Sequence, residues 1–196
     1  MKLYYSPGAC SLADHIALNE ADMKFDLVKV DLKGHKLEDG RPFQHINPKG
    51  YVPALELDDG ELLTENVAIL SLVADRYPPL MAPGPFGRYR LLEMLSYIAT
   101  EIHKAFHPLF DPLASEAEKK KAGETIARKL SFVASKLMGP YLFGEKATVA
   151  DFYLFVMLLW AAKNKIAIPQ PLKALSEHIR TRPTVQVALR REGLIK

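Results

Sequence analysis

Residues 78–85 read Pro-Pro-Leu-Met-Ala-Pro-Gly-Pro. Proline fixes φ, lacks an amide proton and biases the residue before it away from the helical region. No helix or sheet ladder runs through such a stretch. It divides the 196 residues into a segment of mixed texture and a segment with helical texture. A chain of this length builds one large domain or two small ones. The break argues for two, at 1–77 and 86–196, with 78–85 as the linker.

Within 1–77, Lys2-Leu3-Tyr4-Tyr5 reads as a strand and Leu12 to Glu20 as a helix with Leu12, Ile16 and Asn19 along one side. Phe25 to Val30 alternates apolar and polar residues, the signature of a second strand. Asp31 to Gly50 is rich in turn formers and reads as loop with a short helix. Val52 to Leu57 and Glu61 to Thr64 flank Asp58-Asp59-Gly60, and Asp-Gly is a strong hairpin signal. Val67 to Tyr77 is helical and ends at Tyr77-Pro78. The order β-α-β followed by β-β-α predicts a thioredoxin-like α/β domain.

Beyond the linker, Leu91, Leu95, Ile98 and Ile102 recur at helical spacing, and Ala117 to Leu137 is a second long helix. Thr148-Val149-Ala150-Asp151 is a capping box, in which Thr148 caps a helix start and Asp151 reaches back to the Thr148 amide. The helix it opens, Phe152 to Lys163, is apolar nearly all round and belongs at the centre of a bundle. Shorter helices follow at 171–181 and 184–192. The second domain is therefore an all-α helical bundle.

Charge and cysteine usage narrow the function. Lys and Arg number 26 against 23 Asp and Glu, a net charge of +3 that is too balanced for a nucleic-acid protein. Lys119-Lys120-Lys121 follows Glu116 and Glu118 and reads as a solvated helix face. The apolar run from Phe152 to Ala162 is too short to span a bilayer, and the first residues lack a signal-peptide apolar region. One cysteine excludes a disulfide scaffold and fits a reducing compartment. These features together predict a soluble, cytoplasmic protein with no membrane and no nucleic-acid partner.

That one cysteine, Cys10, follows Pro7-Gly8-Ala9 where strand turns into helix. A free cysteine is commonly a small buried hydrophobe. At a helix start, however, the free amides and the dipole favour thiolate. Asp14, in the first turn after it, adds a negative charge that opposes this effect if it points inward. His103 and His107 are spaced i, i+4, but no third ligand and no His-Glu-x-x-His pattern accompanies them, so no metal is expected. His107 precedes Pro108 near a helix end and reads as structural.

The chain resembles cytosolic glutathione transferases along its whole length, most closely the bacterial beta class. The motifs that carry the resemblance are Ser6-Pro7-Gly8-Ala9-Cys10-Ser11-Leu12, Asn47 to Leu55, Leu63-Thr64-Glu65-Asn66-Val67-Ala68-Ile69, Glu101-Ile102-His103-Lys104 and Thr148 to Asp151. Glu192 to Lys196 also looks like that class.

The resemblance implies that glutathione, as co-substrate, is bound by Tyr5, Cys10, Ser11, His35 or Lys36, Val52, Pro53, Glu65, Asn66, Ser96, Thr100 and His103, with Cys10 and His103 as the reactive pair. It implies a cis Val52-Pro53 bond that turns the Val52 backbone toward the tripeptide; the alternative is an ordinary proline before a strand. Glu65 would pair with the ligand's amine at a helix N-terminus, and simple capping by Asn66 is compatible with that. Lys33, His35 and Lys36 are the cations on offer for the glycyl carboxylate. Small hydrophobic electrophiles would sit against Phe106, Leu109, Phe110 and Trp160, each of which also reads as plain core. The implied activity is detoxifying conjugation by a homodimer, plus a redox activity, monothiol, glutaredoxin-like thiol transfer at Cys10, which has no resolving cysteine. Alternatives on the same fold are a glutathione-dependent dehalogenase or peroxidase, a non-catalytic carrier of hydrophobic ligands, and a stress- or transcription-associated interaction protein.

Overall fold

A computed structural model describes residues 1–196. The first half runs β1 (Lys2–Tyr5), α1 (Leu12–Glu20), β2 (Asp26–Asp31), β3 (Lys36–Leu37), β4 (Ala54–Glu56), β5 (Leu62–Thr64) and α2 (Asn66–Arg76). The strands form one sheet in the order β3-β2-β1-β4-β5. β1 and β2 are parallel, with Tyr5 opposite Lys29. β4 is antiparallel to β1, with Tyr4 opposite Ala54, and β5 is antiparallel to β4, with Ala54 opposite Thr64. This is the thioredoxin-like arrangement with one strand more than its sequence announces. β3 has two residues, too few to show alternation, and it pairs back on β2 because the chain reverses at His35, whose φ is 51°.

The proline-rich stretch is packed rather than loose. Pro78–Leu80 makes a single 3₁₀ turn, and Leu80 and Ala82 are buried. The next helix starts so close to it that a Cβ on Gly87 would lie 1.9 Å from the Ala82 carbonyl oxygen.

The helical half consists of α3 (Gly87–Tyr97), α4 (His107–Phe110), α5 (Glu116–Ala134), α6 (Val149–Lys163), α7 (Gln170–Arg180) and α8 (Pro183–Arg191). α3 passes into α4 through a π-helical turn at Ile98–His103 and a 3₁₀ turn at Lys104–Phe106. α6 is the bundle centre that its all-round apolarity requires, buried from Val149 to Leu158 and again at Ala161. α1 packs against both α6 and α8, so one continuous core joins Leu3 and Leu55 of the sheet to Leu12 and Ile16 of α1 and to Phe152 and Phe155 of α6. No helix is long and apolar enough to cross a membrane.

Polar contacts tie the two halves together. The Gly8 amide donates to Glu192 Oε2 at 2.9 Å, and Trp160 Nε1 donates to the Gly8 carbonyl at 2.8 Å. The other Glu192 oxygen lies 2.9 Å from His15 Nδ1, with both side chains fully buried. Arg182 grips Glu20 through Nε and Nη2, each at 2.7 Å. At the start of α6, Asp151 accepts from the amides of Thr148 and Leu142, both at 2.8 Å, and from the Thr148 hydroxyl at 2.8 Å. The carboxylate reaches back as the capping box predicts, and the Thr148 hydroxyl donates to that carboxylate. Burial nevertheless pushes the Asp151 carboxyl up to about 6.

Replacing Asp151 with Ala would leave two buried amides without an acceptor. Asp151→Ala is expected to cost about 2–4 kcal/mol at pH 7.5, read as a lower urea midpoint with an unchanged m-value.

Candidate active site

Strand directions bring four segments to one end of the sheet. β1 and β2 both run toward it, so the loop Ser6–Ser11 and the turn after Asp31 emerge there. β4 starts there, which places Val52 and Pro53, and β5 ends there, which places Glu65 and Asn66. Facing this end is the run from Ile98 to Phe110, together with α6. Between the two lies a cleft of about 660 Å³, lined by Cys10, Tyr51, Val52, Pro53, Glu65 and Asn66 on one side and by Thr100, His103, Lys104, His107, Phe110 and Tyr153 on the other.

Cys10 is buried at the cleft floor, and its thiol donates to the Val52 carbonyl at 3.4 Å. Val52-Pro53 is cis. The expectation of a thiol activated by the helix start is overturned: burial, then the nearby Asp14 carboxyl, push Cys10 up to about 12. The Ser11 and Cys10 amides pull the other way, but α1 begins only at Leu12, and two amides do not offset desolvation. Asp14 does point inward. It is fully buried, its own carboxyl is held well above the usual range by that burial, and its Oδ1 has no partner.

Asn66 accounts for the other Asp14 oxygen. Its Nδ2 donates to Asp14 Oδ2 at 2.7 Å and to the Cys10 carbonyl at 3.0 Å. The side chain thus works inside the fold, and what faces the cleft is the amide end of α2. Glu65, just before α2, has φ 74°, a left-handed conformation rare outside glycine and concentrated at functional sites. Its Oε1 receives Lys49 Nζ at 2.6 Å and the Tyr51 hydroxyl at 2.7 Å, while its Oε2 has no partner in the chain. Lys49 and Tyr51 hold this carboxyl below its ordinary range, so it stays negative at neutral pH.

On the helical side, His103 closes the π-helical turn. Its Nδ1 lies 2.7 Å from the Tyr153 hydroxyl, and its ring meets Trp160 edge-on at 5.1 Å. It shares the cleft with Cys10 but makes no hydrogen bond to it. Burial pulls its pKa down to about 4, so the ring is neutral at pH 7 and offers a hydrogen bond rather than a positive charge. In sequence Tyr153 belongs to an apolar run; its signal there is a lone hydroxyl, which needs a partner when buried. Lys104 and His107 also line the cleft, although His107 reads as structural in sequence.

Of the expected hydrophobic wall, only Phe110 lines the cleft, at 52% exposure. Phe106 is fully buried and stacks behind it at 6.2 Å, and Trp160 braces Phe110 edge-on at 4.9 Å. Leu109 faces a different depression, beside Lys119 and Ile166. Tyr5 is buried next to His15, with ring centroids 6.2 Å apart. Ser11 is buried too, and its Oγ accepts from the Ser6 amide. His35 and Lys36 lie by Asp31, outside the cleft lining; the Gly34 and Lys33 amides, and at longer range the Lys36 charge, hold the Asp31 carboxyl low. Ser96 is exposed outside the cleft, whereas Thr100 lines it and donates its hydroxyl to the Ser96 carbonyl one turn back at 2.9 Å. No three His, Cys, Asp or Glu side chains gather as a metal-binding set.

Two measurements test these electrostatics. Asp14→Asn removes the buried carboxyl nearest Cys10, and the pH midpoint of Cys10 alkylation by iodoacetamide should fall by roughly one unit. An unchanged midpoint would show that Asp14 does not act on the thiol. Burial holds the folded His103 ring at about 4, against an ordinary value of 6.5. Protons therefore favour the unfolded chain between those values, and the neutral ring's contribution, up to about 3 kcal/mol, is complete above pH 6.5 and lost as pH falls toward 4. Asp151 gives the opposite slope, so the comparison must be with His103→Asn. The stability gap between parent and variant should shift in the variant's favour by about 2 kcal/mol from pH 7 to pH 4.5 in urea titrations, and a pH-independent gap would refute it.

Models of the glutathione S-transferase N-terminal and C-terminal domains match residues 12–84 and 97–183. Glutathione S-transferase GstA of Escherichia coli O157:H7 is 46% identical over 200 residues, covering 99% of this chain and 100% of that one. A sphingomonad glutathione S-transferase complexed with glutathione superposes with a TM-score of 0.90 at 47% identity, over 100% of both chains. The bacterial beta class enzyme of Sphingomonas chungbukensis gives a TM-score of 0.90 at 46% identity, again over 100% of both chains. With the cleft at the carboxyl end of a thioredoxin-like sheet and both halves matched in order, the chain belongs to the glutathione S-transferase family.

Proposed function

We propose that this enzyme seats glutathione across the sheet-side wall of the cleft and transfers its sulfur to hydrophobic electrophiles resting on Phe110. The observation that carries the reading is Glu65: an ionised carboxylate at a left-handed backbone position, with one oxygen unpartnered, beside the amide end of α2. The γ-glutamyl group presents an ammonium and a carboxylate side by side. Glu65 Oε2 suits the first and the helix N-terminus suits the second. The tripeptide backbone then lies along Val52, with its sulfur toward Cys10 and His103. The turn carrying His35 and Lys36 emerges at the same end of the sheet, where the glycyl carboxylate would reach.

In conjugation, the glutathione thiol loses its proton to solvent, and the thiolate attacks the electrophilic carbon. A C–S bond forms and the leaving group departs with its electron pair. The cleft contributes orientation and hydrogen-bond donors. With Cys10 held as a neutral thiol whose S–H goes to the Val52 carbonyl, its part here is to line the cleft floor rather than to attack. A second chemistry needs its thiolate: attack on a glutathione mixed disulfide forms Cys10–S–S–glutathione and releases the other thiol. A second glutathione thiolate then frees Cys10 and leaves as glutathione disulfide. Because the thiol is pushed up to about 12, this activity is slow at neutral pH and rises with pH. We infer that the enzyme works as a homodimer, a reading supported by Phe86 and Tyr89, two strongly exposed aromatics at the start of α3.

Calorimetry should detect glutathione binding, and Glu65→Ala should weaken it by roughly 10–100-fold. Cys10→Ala should abolish thiol transfer while keeping conjugation of chlorodinitrobenzene within about tenfold of the parent. Thiol transfer that survives Cys10→Ala would remove Cys10 from that reaction.

A further inference from the structure

Tyr153 is the only hydroxyl in a helix whose other buried positions are apolar apart from its capping acid. It crosses from the core to the cleft, and its hydroxyl makes one hydrogen bond, the 2.7 Å contact with His103 Nδ1. Only one direction suits that bond. If Nδ1–H were the donor, the buried phenol would keep an O–H with no acceptor, and buried donors are nearly always paired. The neighbouring indole offers nothing, since Trp160 Nε1 donates to Gly8. With the phenol donating, Nδ1 is the acceptor, and a neutral imidazole must then carry its proton on Nε2. That nitrogen has no partner in the chain. Among buried side-chain polar atoms only Asp14 Oδ1 and His15 Nε2 lack one, so the unbonded Nε2 of His103 is open to the cleft. Tyr153 and Trp160 pack edge-on against the ring, at interplanar angles of 87° and 69°.

We propose that Tyr153 is a positioning residue: its hydroxyl fixes His103 as the Nε2–H tautomer and so presents a neutral N–H donor to the sulfur that reacts in the cleft. The reacting group is glutathione's sulfur, so this rests on the glutathione reading above. The donor acts more strongly on thiolate than on thiol, because hydrogen bonds to charged acceptors are the stronger ones. It therefore favours the ionised nucleophile without a positive charge in the site. The proton stays on Nε2 throughout, and no group is oxidised or reduced.

The tautomer is read without ligand. In ¹⁵N-labelled, glutathione-free protein at pH 7, the His103 ring signals, assigned by their loss in His103→Asn, should show a protonated Nε2 and a bare Nδ1. In Tyr153→Phe, which keeps the ring and its packing, the Nδ1–H form should become substantially populated. Conjugation should then lose roughly tenfold in kcat with little change in the KM for glutathione. In a His103→Asn background the same substitution should cost nothing further. A parent protein with Nδ1–H, an unchanged tautomer in Tyr153→Phe, or an equal loss in both backgrounds would each overturn the proposal. Absence of glutathione binding by the parent would instead refute the glutathione reading and leave the tautomer measurement standing.

Discussion

The Gly8 peptide is held on both of its polar sides by the opposite half of the molecule. Its amide meets Glu192 and its carbonyl meets Trp160. Gly8 itself sits at φ 69°, in the left-handed region, and a side chain there would also press on Leu194 at 3.3 Å. The loop that delivers Cys10 is therefore shaped by α6 and by the segment after α8 as much as by β1 and α1. Glu192 in turn is buried only because His15 of α1 takes its second oxygen. A loop with two free peptide dipoles and no such partners would be mobile, and the thiol would have no fixed address relative to Val52 and His103.

Burial governs the chemistry of that address. Cys10, Asp14 and His103 are all ionisable, and desolvation drives each toward its neutral form. Charge is kept at the rim, where Glu65 meets Lys49 and Tyr51 and where Lys104 stands across the cleft. The division suits a reaction in which the ligand brings its own nucleophile. Under the proposed reading, the rim would meet the charged ends of the tripeptide, while the floor stays uncharged.

Much of this was legible in residue order. Local signals strong enough to survive tertiary context include the helix Leu12–Glu20, which matches the expected span at both ends, the Asp-Gly hairpin, the capping acid Asp151 and the apolar α6. What stayed hidden depends on direction. Asn66 stands at the expected helix start, but nothing local tells that its amide group turns down to Asp14. Phe106, Leu109 and Phe110 are three apolar positions on one winding segment, and only the sequence of π, 3₁₀ and α turns decides that Phe110 alone of them meets the cleft. Tyr153 was masked by its neighbours, because an apolar run reads as core whether or not one of its hydroxyls pierces the wall.

The clasp on Gly8 spans 184 residues of chain. A ribosome adding about 5–20 residues per second needs roughly 10–40 s to travel from one partner to the other. During that interval the β1–α1 loop exists without the carboxylate that orders it. A nascent or truncated chain lacks that carboxylate, and the loop that carries its thiol lacks one of its two anchors. The site matures only when the far end of the polypeptide arrives, so incomplete copies carry a cysteine but lack a working centre.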